Sequence, residues 1–337
     1  MATLGTYNLT LQDVAARKDP NGSIADIAEV MNDDHQILDV AVLRECNDGT
    51  NNKTTARTGI PDPTWRKLYG GVQSTKSETS QVVDSCGMLE ALPKIDVDVI
   101  DKSGDPKAAR FSEEMPHIEG IKQAVESKLI YGDTKYYPEQ FMGLAPRYNK
   151  YCRSTPNRRY SDYNVLTAAG AGSDNTSIWL ITWGDNFTHF IFPKGSKAGL
   201  SQEDKGKLLV SATDSSGEFF AYVNHYKWDV GLTVRDWRAN GRICNIDVSN
   251  LVGESSAADL VKLMIQLEER VKGAGGKQCW LMNPRVKTML RIQALSKSQY
   301  TTTFESVEGR EIMRFAGKPV YTSEQILLTE SALTQAS

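Results

Sequence analysis

The most constraining feature of this chain is the order of structural elements in residues 279–328. A short apolar run at 280–282 predicts a buried strand, and Asn283 followed by Pro284 predicts the capped first turn of a helix. That helix keeps one apolar face, a polar segment follows it, and two strands are predicted around a tight turn at Gly317. Any α/β domain can contain these parts, so the information lies in their order.

Composition sets outer limits on the fold and its partners. The chain has 337 residues, of which 40% are hydrophobic and 24% are charged. This predicts a folded protein with one large core or two ordinary cores. The net charge of -3 argues against a dedicated duplex-DNA binder, because neutralising phosphates requires an excess of clustered Lys and Arg. We expect any contact with nucleic acid to be weak and non-specific.

The sequence gives no sign of a membrane span, a signal peptide or a disulfide framework. No run approaches the roughly 20 apolar residues of a spanning helix, and the N-terminus lacks the apolar core of a signal peptide. The cysteines are odd in number and form no C-x-x-C pair, so we expect reduced thiols and no zinc site. They are Cys46, Cys86, Cys152, Cys244 and Cys279.

The first part of the chain predicts an arm and a long loop. Residues 1–48 suggest two short helices, one capped by Ser23 and one beginning near Ile37. Residues 51–85 are rich in Thr, Ser, Gly and Asn and predict a long two-stranded hairpin with a complicated tip. A hairpin of this size buries too little to be stable alone, so we expect it to lie on another chain or domain. The alternative is a flexible surface loop.

Residues 88–100 predict a strand, because Ile95, Val97 and Val99 alternate with acidic residues. The carboxylates in this stretch could offer a cation site, since residues two apart share a strand face. Exposed strand faces commonly carry such charges, so an ordinary solvated face is the alternative. The carboxylates concerned are Asp96, Asp98 and Asp101.

The longest helix of the protein is predicted to follow Asp105, which can cap it, with Pro106 in its first turn. Pro116 interrupts the pattern, so we expect either a bend there or a helix that begins at Ser112. The apolar positions recur at steps of three and four and predict the buried core of this helix. They are Phe111, Met115, Ile118, Ile121, Val125 and Leu129.

A change in composition predicts a second, strand-rich domain starting near Pro146. Gly132 is the expected C-cap of the long helix, and apolar residues at 141–144 form a plug before the boundary. One helix, capped by Ser256 and Asp259, interrupts the strands. The strands are predicted at 178–183, 187–192, 208–212, 219–223 and 228–235.

No motif in the sequence supports catalysis, a metal or a cofactor. The histidines are far apart and none has metal-ligand spacing; they are His35, His117, His189 and His225. The Gly170 to Gly172 segment lacks the third glycine of a dinucleotide loop, and 193–199 lacks the spacing of a phosphate loop. No G-x-S-x-G is present. Aromatic residues at strand positions predict core or interface packing; they are Trp179, Trp183, Trp228 and Trp237.

The whole series of parts resembles the major capsid protein of tailed phages with the Hong Kong 97 type of fold. More narrowly, five segments are similar to capsid proteins of short-tailed phages related to the Bordetella and epsilon-fifteen phages. These segments are VAARKDPNG, RTGIPDPTWRKLYGGVQSTKS, SCGMLEA, NTSIWLITWGDN and HYKWDVGLTVRDWR.

The resemblance implies an α+β fold with a fixed set of parts. These are an N-terminal arm at 1–48, an extended loop at 49–86, a peripheral domain with a spine helix at 87–146, an axial domain at 147–310, and a return to the peripheral domain at 311–337. The Trp65, Arg66 and Tyr69 side chains at the loop tip would contact other subunits. An aromatic residue there could equally close its own turn.

The implied function is that of a non-enzymatic shell protein that self-assembles into hexamers and pentamers of an icosahedral head around double-stranded DNA. It would be made in the host bacterial cytoplasm and reside in the virion. A decoration or cement protein, a scaffold and a portal are possible partners, and no cofactor or membrane is expected. The alternatives are an encapsulin-like compartment shell, or a soluble enzyme or binding module with a β-rich second domain.

Some members of the family join subunits covalently, by linking a loop lysine to an asparagine of a neighbour. Lys67, Lys76 and Asn283 here give no spacing evidence for that reaction. We therefore predict no covalent cross-links.

Overall fold

A computed structural model describes residues 35–59, 61–102, 105–157, 160–212, 217–249, 258–273, 275–296, 302–307 and 310–336. The arm helix predicted after Ser23 and the cap at Ser256 lie outside these residues. Contacts divide the chain into two compact units. The helix–hairpin unit includes Met88–Val125 and Gly199–Asp229, and the sheet unit consists of Asp34–Gly87, Glu126–Ala198 and Val230–Ser337.

The helices within the described residues are α1 (Gln36–Val40), α2 (Val97–Asp101), α3 (Pro106–Tyr131), α4 (Leu260–Arg270) and α5 (Pro284–Ser296). The strands are β1 (Leu43–Glu45), β2 (Asn51–Gly59), β3 (Glu78–Ala91), β4 (Lys94–Asp96), β5 (Val165–Thr167), β6 (Asn175–Trp183), β7 (Thr188–Phe192), β8 (Ser201–Ser211), β9 (Glu218–Val234), β10 (Gly241–Asp247), β11 (Lys277–Met282), β12 (Thr302–Val307), β13 (Arg310–Phe315) and β14 (Lys318–Thr322). Short 3₁₀ turns occur at Ala145–Tyr148, Ser161–Asn164 and Trp237–Ala239.

Strand β6 is the centre of the sheet unit, and all of its residues are buried. It pairs antiparallel with β11 on one side and with β10 on the other. Beyond β11 the order continues to β14 and then β13, and β5 lies parallel to β10. A strand covered on both faces requires a nearly continuous apolar sequence rather than an alternating one, and 178–183, interrupted only by Thr182, supplies it.

The two faces of β6 pack against different layers. Ile178 and Leu180 belong to a core that also contains the apolar faces of α4 and α5, such as Met264 and Leu290. Residues on the opposite face include Trp179, whose ring meets that of Tyr148 edge-on at 6.1 Å. Successive strand side chains point to opposite faces, so one short run builds both cores.

The described residues of 279–328 fold in the predicted order. β11 contains the apolar run 280–282, and the Asn283 Oδ1 atom accepts a hydrogen bond from the Arg285 N–H at 3.0 Å at the start of α5. β13 and β14 pair around a turn in which Ala316 and Gly317 both have positive φ. The predicted strand, capped helix and hairpin are therefore confirmed.

The C-terminal end of α3 is closed by the predicted apolar plug. The Gly143 N–H donates to the Gly132 carbonyl at 2.8 Å, and the Leu144 N–H donates to the Leu129 carbonyl at 2.9 Å. Phe141 and Leu144 are buried. The backbones approach so closely that a Cβ atom at Gly132 would lie 2.3 Å from the Phe141 carbonyl oxygen. Glycine is therefore required at this contact.

The helix–hairpin unit contains the long antiparallel pair formed by β8 and the first part of β9, with β4 paired to Ala221–Val223 of β9. The strand predicted through 88–100 is wrong in its last part, because the chain forms α2 from Val97. The Asp96 side chain accepts a hydrogen bond from the Asp98 N–H at 2.9 Å. This cap starts a helix where the apolar alternation predicted a strand.

Helix α3 begins at Pro106, and the Asp105 Oδ1 atom accepts from the Lys107 and Ala108 N–H groups at 3.1 and 3.2 Å. It continues through Pro116 for 26 residues, so the alternative start at Ser112 is wrong. The predicted ranges of the arm, the extended loop, the peripheral domain and the axial domain stay predictions.

Candidate assembly surface

The extended loop is anchored at its root by buried polar contacts. β2 and β3 pair from Asn51 opposite Ser85 outward to Gly59 opposite Glu78. At the root, the buried Asp84 carboxylate receives a hydrogen bond from Arg147 at 2.8 Å, and Arg147 also donates to the Leu232 carbonyl at 3.2 Å. A carboxylate and a guanidinium removed from water need such partners. The root is therefore fixed to the sheet unit.

The outer part of the loop has the opposite character. Nearly all residues from 62 to 80 are exposed, and among them Trp65, Leu68 and Tyr69 are almost fully exposed. The tip is ordered by a turn in which the Gly70 N–H donates to the Lys67 carbonyl at 3.0 Å. Arg66 Nε donates to the Gly70 carbonyl at 2.9 Å. The aromatic rings do not close this turn, so they remain available to another surface.

The predicted spine-helix core is only partly buried. Ile121 and Val125 are buried and Ile118 is half-buried, but Phe111 is 63% exposed and Met115 is also exposed. The prediction of a buried apolar stripe along the whole helix is therefore wrong for its first part.

The physical reason is that α3 turns a polar face toward its own unit at this point. The Glu114 carboxylate is buried and accepts hydrogen bonds from Asn224 Nδ2 and, at 3.1 Å, from Tyr226 Oη. Arg110 pairs with Glu114 at 2.8 Å and with Asp204 at 2.7 Å. Residues four apart share a helix face, so placing 110 and 114 inward turns 111 and 115 outward.

This polar network shifts the ionisation of its members. The Arg110 guanidinium hydrogen-bonded to Asp204 lowers the pKa of that carboxyl, with help from the Gly206 N–H. Burial, followed by the charge of Glu114, raises the pKa of Tyr226 to about 12. The two shifts favour an ionised Asp204 and a neutral Tyr226 at neutral pH, and the hydrogen bonds and ion pairs of this network hold α3 on the β8–β9 hairpin.

A second exposed apolar area lies on the β8–β9 hairpin, and the sequence patterns missed it. Leu209 and its cross-strand partner Phe220 are both exposed, Phe220 to 61%, and Leu208 is exposed on the opposite face. The patterns predicted separate strands at 208–212 and 219–223 and gave no sign that one long hairpin would present these side chains to solvent. Exposed apolar patches on ordered elements commonly mark protein contact sites.

The residues considered for metal or cofactor chemistry have structural roles. Asp96 caps α2, while Asp98 and Asp101 pair with lysines at 3.9 Å. Gly170 lies where a Cβ atom would be 2.5 Å from the Asn245 carbonyl oxygen. Within the described ranges, no group of three or more His, Cys, Asp or Glu residues could hold a metal ion.

Three of the four histidines have partners or buried positions. His35 forms a buried pair with Glu126 at 2.6 Å, and His225 contacts Glu90 at 3.1 Å. Burial lowers the pKa of His189.

Of the helices in the described part of the chain, none is long and apolar enough to cross a membrane.

The extended loop has an anchored root and an exposed apolar tip, and further apolar side chains of this α+β subunit are exposed to solvent. These are features of a structural protein that builds a shell. The comparisons define the class as phage capsid proteins. A solved structure of bacteriophage epsilon15 is 35% identical and matches with a TM-score of 0.77, covering 99% of this chain and 100% of that chain.

The family model for Major capsid protein GP7 matches residues 19–334, and the chain belongs to this family. It is thus a major capsid protein, a structural component of the virion rather than an enzyme. The predicted likeness to short-tailed phage capsids and the predicted fold are both confirmed.

More distant structures show the fold alone. The bacteriophage JBD30 capsid is 9% identical with a TM-score of 0.52, covering 88% of this chain and 92% of that chain. The encapsulin complex of Synechococcus elongatus is 13% identical with a TM-score of 0.42, covering 71% of this chain and 97% of that chain. No curated protein matches the chain.

Proposed function

We propose that this major capsid protein forms hexamers and pentamers of an icosahedral head, and that its extended loop joins neighbouring subunits through Trp65, Arg66 and Tyr69. The proposal rests on a contrast between the root and the tip of the same loop. Its root is fixed by the buried Asp84–Arg147 pair, whereas its aromatic tip is ordered but almost fully exposed. When a neighbouring subunit covers apolar groups that were exposed to solvent, the free energy of the system falls.

In this arrangement the arm at 1–48 and the loop at 49–86 reach neighbours. The peripheral parts at 87–146 and 311–337 and the axial part at 147–310 form the shell floor. Exposed Phe111 on α3 and Phe220 on the β8–β9 hairpin support further subunit contacts. These side chains leave water when subunits associate, which couples assembly to burial of apolar surface.

The decisive experiment is assembly of purified protein carrying Trp65→Ala or Tyr69→Ala, with Lys67→Ala as the matched control on the same tip. Truncating an aromatic anchor typically costs about 2 kcal/mol, which corresponds to roughly thirtyfold weaker association. We expect the aromatic variants to remain folded by circular dichroism but to give few shells by sedimentation and negative-stain microscopy. Shell yields equal to those of Lys67→Ala would refute the loop proposal.

The proposed role of Phe111 has its own test, because a core residue and an interface residue respond differently to a polar substitution. Phe111→Ser should leave the free energy of unfolding of the unassembled subunit within about 0.5 kcal/mol of wild type, as for an exposed site. The same variant should lower shell yield. A large loss of subunit stability would instead place Phe111 in the chain's own core.

We further propose that packaged double-stranded DNA is contacted weakly and non-specifically, and that a decoration or cement protein, a scaffold and a portal are the other partners of the shell. The support for weak DNA contact is the net charge of -3. Like charges repel, and duplex binding requires phosphate neutralisation. A gel-shift titration at physiological salt should show no complex at micromolar subunit, and a discrete shifted band would contradict this.

A further inference from the structure

Cys46 and Cys86 lie side by side in the sheet unit. Their Sγ atoms are 3.4 Å apart, although 40 positions separate them in sequence. Cys46 directly follows β1, and Cys86 lies in β3 at the root of the extended loop. The two thiols therefore face each other across the point where the loop leaves the unit.

The backbone holds both cysteines in place. The Cys46 N–H donates to the Phe192 carbonyl at 2.9 Å, and the Cys86 N–H donates to the Thr50 carbonyl at 3.1 Å. Bonding requires the sulfurs to approach to about 2.0 Å, which side-chain rotation and a small backbone adjustment can provide. Cys244 and Cys279 are buried in other parts of the same unit.

We propose that Cys46 and Cys86 form an intramolecular disulfide when the shell leaves the reducing cytosol and meets a small-molecule disulfide such as oxidised glutathione. This bond would staple the segment after β1 to the root of the extended loop. It would close the chain around the whole loop, so it would restrict the unfolded ensemble and strengthen the folded subunit.

The reaction balances as two thiol–disulfide exchanges. Cys86 is the more exposed of the two thiols, so its thiolate attacks the reagent first and releases one glutathione thiolate. The Cys46 thiolate then attacks the Cys86 sulfur of the mixed disulfide and releases the second glutathione. The two cysteines lose two electrons and two protons, and the reagent becomes two thiols.

Burial explains why the Cys46–Cys86 disulfide would form slowly. It raises the pKa of Cys46, so little thiolate is present at neutral pH and the second exchange is slow. Cytosolic glutathione and thioredoxin systems keep such thiols reduced during assembly. Oxidation should accelerate as pH rises, because the thiolate is the attacking form.

The test is thiol counting on purified full-length protein, reduced and then treated with oxidised glutathione at mildly alkaline pH. After denaturation and maleimide labelling, intact mass should show that two of the five thiols are protected. Proteolysis without reductant should yield one linked peptide containing Cys46 and Cys86. The melting temperature should rise on oxidation and return to its starting value with dithiothreitol.

Variants assign the reaction to this pair. Cys152→Ser should still lose two thiols, whereas Cys46→Ser should stop with one glutathione attached to Cys86. Five reactive thiols in oxidised wild-type protein, or a linked peptide that joins other cysteines, would overturn the proposal. The peptide map uses wild-type protein, so the proposal stays testable even if a variant fails to fold.

Discussion

Arg242 and Glu330 form a buried ion pair with 2.9 Å between Nη2 and Oε2, although 88 positions separate them in sequence. Arg242 Nε also donates to Ser177 Oγ at 3.0 Å, and that hydroxyl donates to Glu330. A further hydrogen bond joins Arg242 to the Tyr148 carbonyl at 3.1 Å. The C-terminal segment is thereby tied to β6 and β10 of the sheet unit.

More of the C-terminal segment is attached to the same unit. The Asn245 side chain accepts from the Leu333 N–H at 2.7 Å and donates to the Leu333 carbonyl at 3.1 Å. The Ala336 N–H donates to the Tyr151 carbonyl at 2.9 Å. This segment acts as a strap across the sheet unit, and Glu330 is its charged anchor.

Replacing that anchor should destabilise the subunit strongly. Glu330→Ala leaves the Arg242 charge buried without its carboxylate partner, and the expected loss in free energy of unfolding is about 3–5 kcal/mol. Urea denaturation of the unassembled subunit, followed by tryptophan fluorescence, measures it. Asp185→Ala is the control, since it removes an exposed ion pair with Arg44 and should change little. Equal urea midpoints for the two variants would show that the Glu330–Arg242 pair does not hold the C-terminal segment in place.

Two glycine-to-alanine substitutions in and near α3 should have opposite effects. In Gly143→Ala the new methyl group would lie 2.6 Å from the Lys128 carbonyl oxygen, so the backbones must separate, at an expected cost of about 1–3 kcal/mol. Gly120 lies inside α3 with nothing within 4 Å, so Gly120→Ala should gain about 0.5–1 kcal/mol. Both values come from denaturant midpoints. A Gly143→Ala subunit as stable as wild type would show that the backbones at Gly143 and Lys128 are not closely packed.

Local signals made much of the fold predictable. Asp105 with Pro106, and Asn283 with Pro284, each predict a capped helix start through chemistry that acts within three residues. The 280–282 run and the Gly317 turn are similarly local. These elements appear in the structure in the predicted order.

The features that the sequence patterns missed depend either on competing local signals or on partners distant in sequence. Alternating apolar residues at 95–99 favour a strand, and only the Asp96 cap decides for α2. Phe111 follows a helical apolar stripe, but Arg110 and Glu114 find their partners on β8 and β9, and these contacts turn Phe111 to solvent. Glu330 sits in a tail without periodicity, so its pairing with Arg242 has no local signal.

Alkaline pH should destabilise the subunit through its buried thiols. Burial raises the pKa of Cys279 from 9.0 to about 12, and burial does the same for Cys244. The native state therefore holds these protons more tightly than the unfolded chain. Their stabilisation is complete below about pH 9 and is lost as pH rises toward about 12, by roughly 1.4 kcal/mol per pH unit for each thiol.

Urea midpoints measured under reductant across this pH window test the effect. Cys279→Ala lowers stability at every pH by creating a cavity, but it should also flatten the fall at alkaline pH. The double variant with Cys244→Ala should flatten it further. An alkaline slope that both variants leave unchanged would rule out these thiols as its cause.

Mature shells should contain no covalent links between subunits. Asn283 is buried, its Oδ1 accepts from the Arg285 N–H, and its Nδ2 donates to the Ile326 carbonyl at 2.9 Å. A lysine that attacked this amide would have to displace Nδ2 from a closed site, whereas Lys67 and Lys76 lie exposed on the loop. Shells boiled in detergent should give one band at 37.3 kDa, with or without reductant, because the proposed disulfide lies within one chain. A ladder of multiples that disappears in a Lys67→Ala, Lys76→Ala double variant would show that the loop lysines do react.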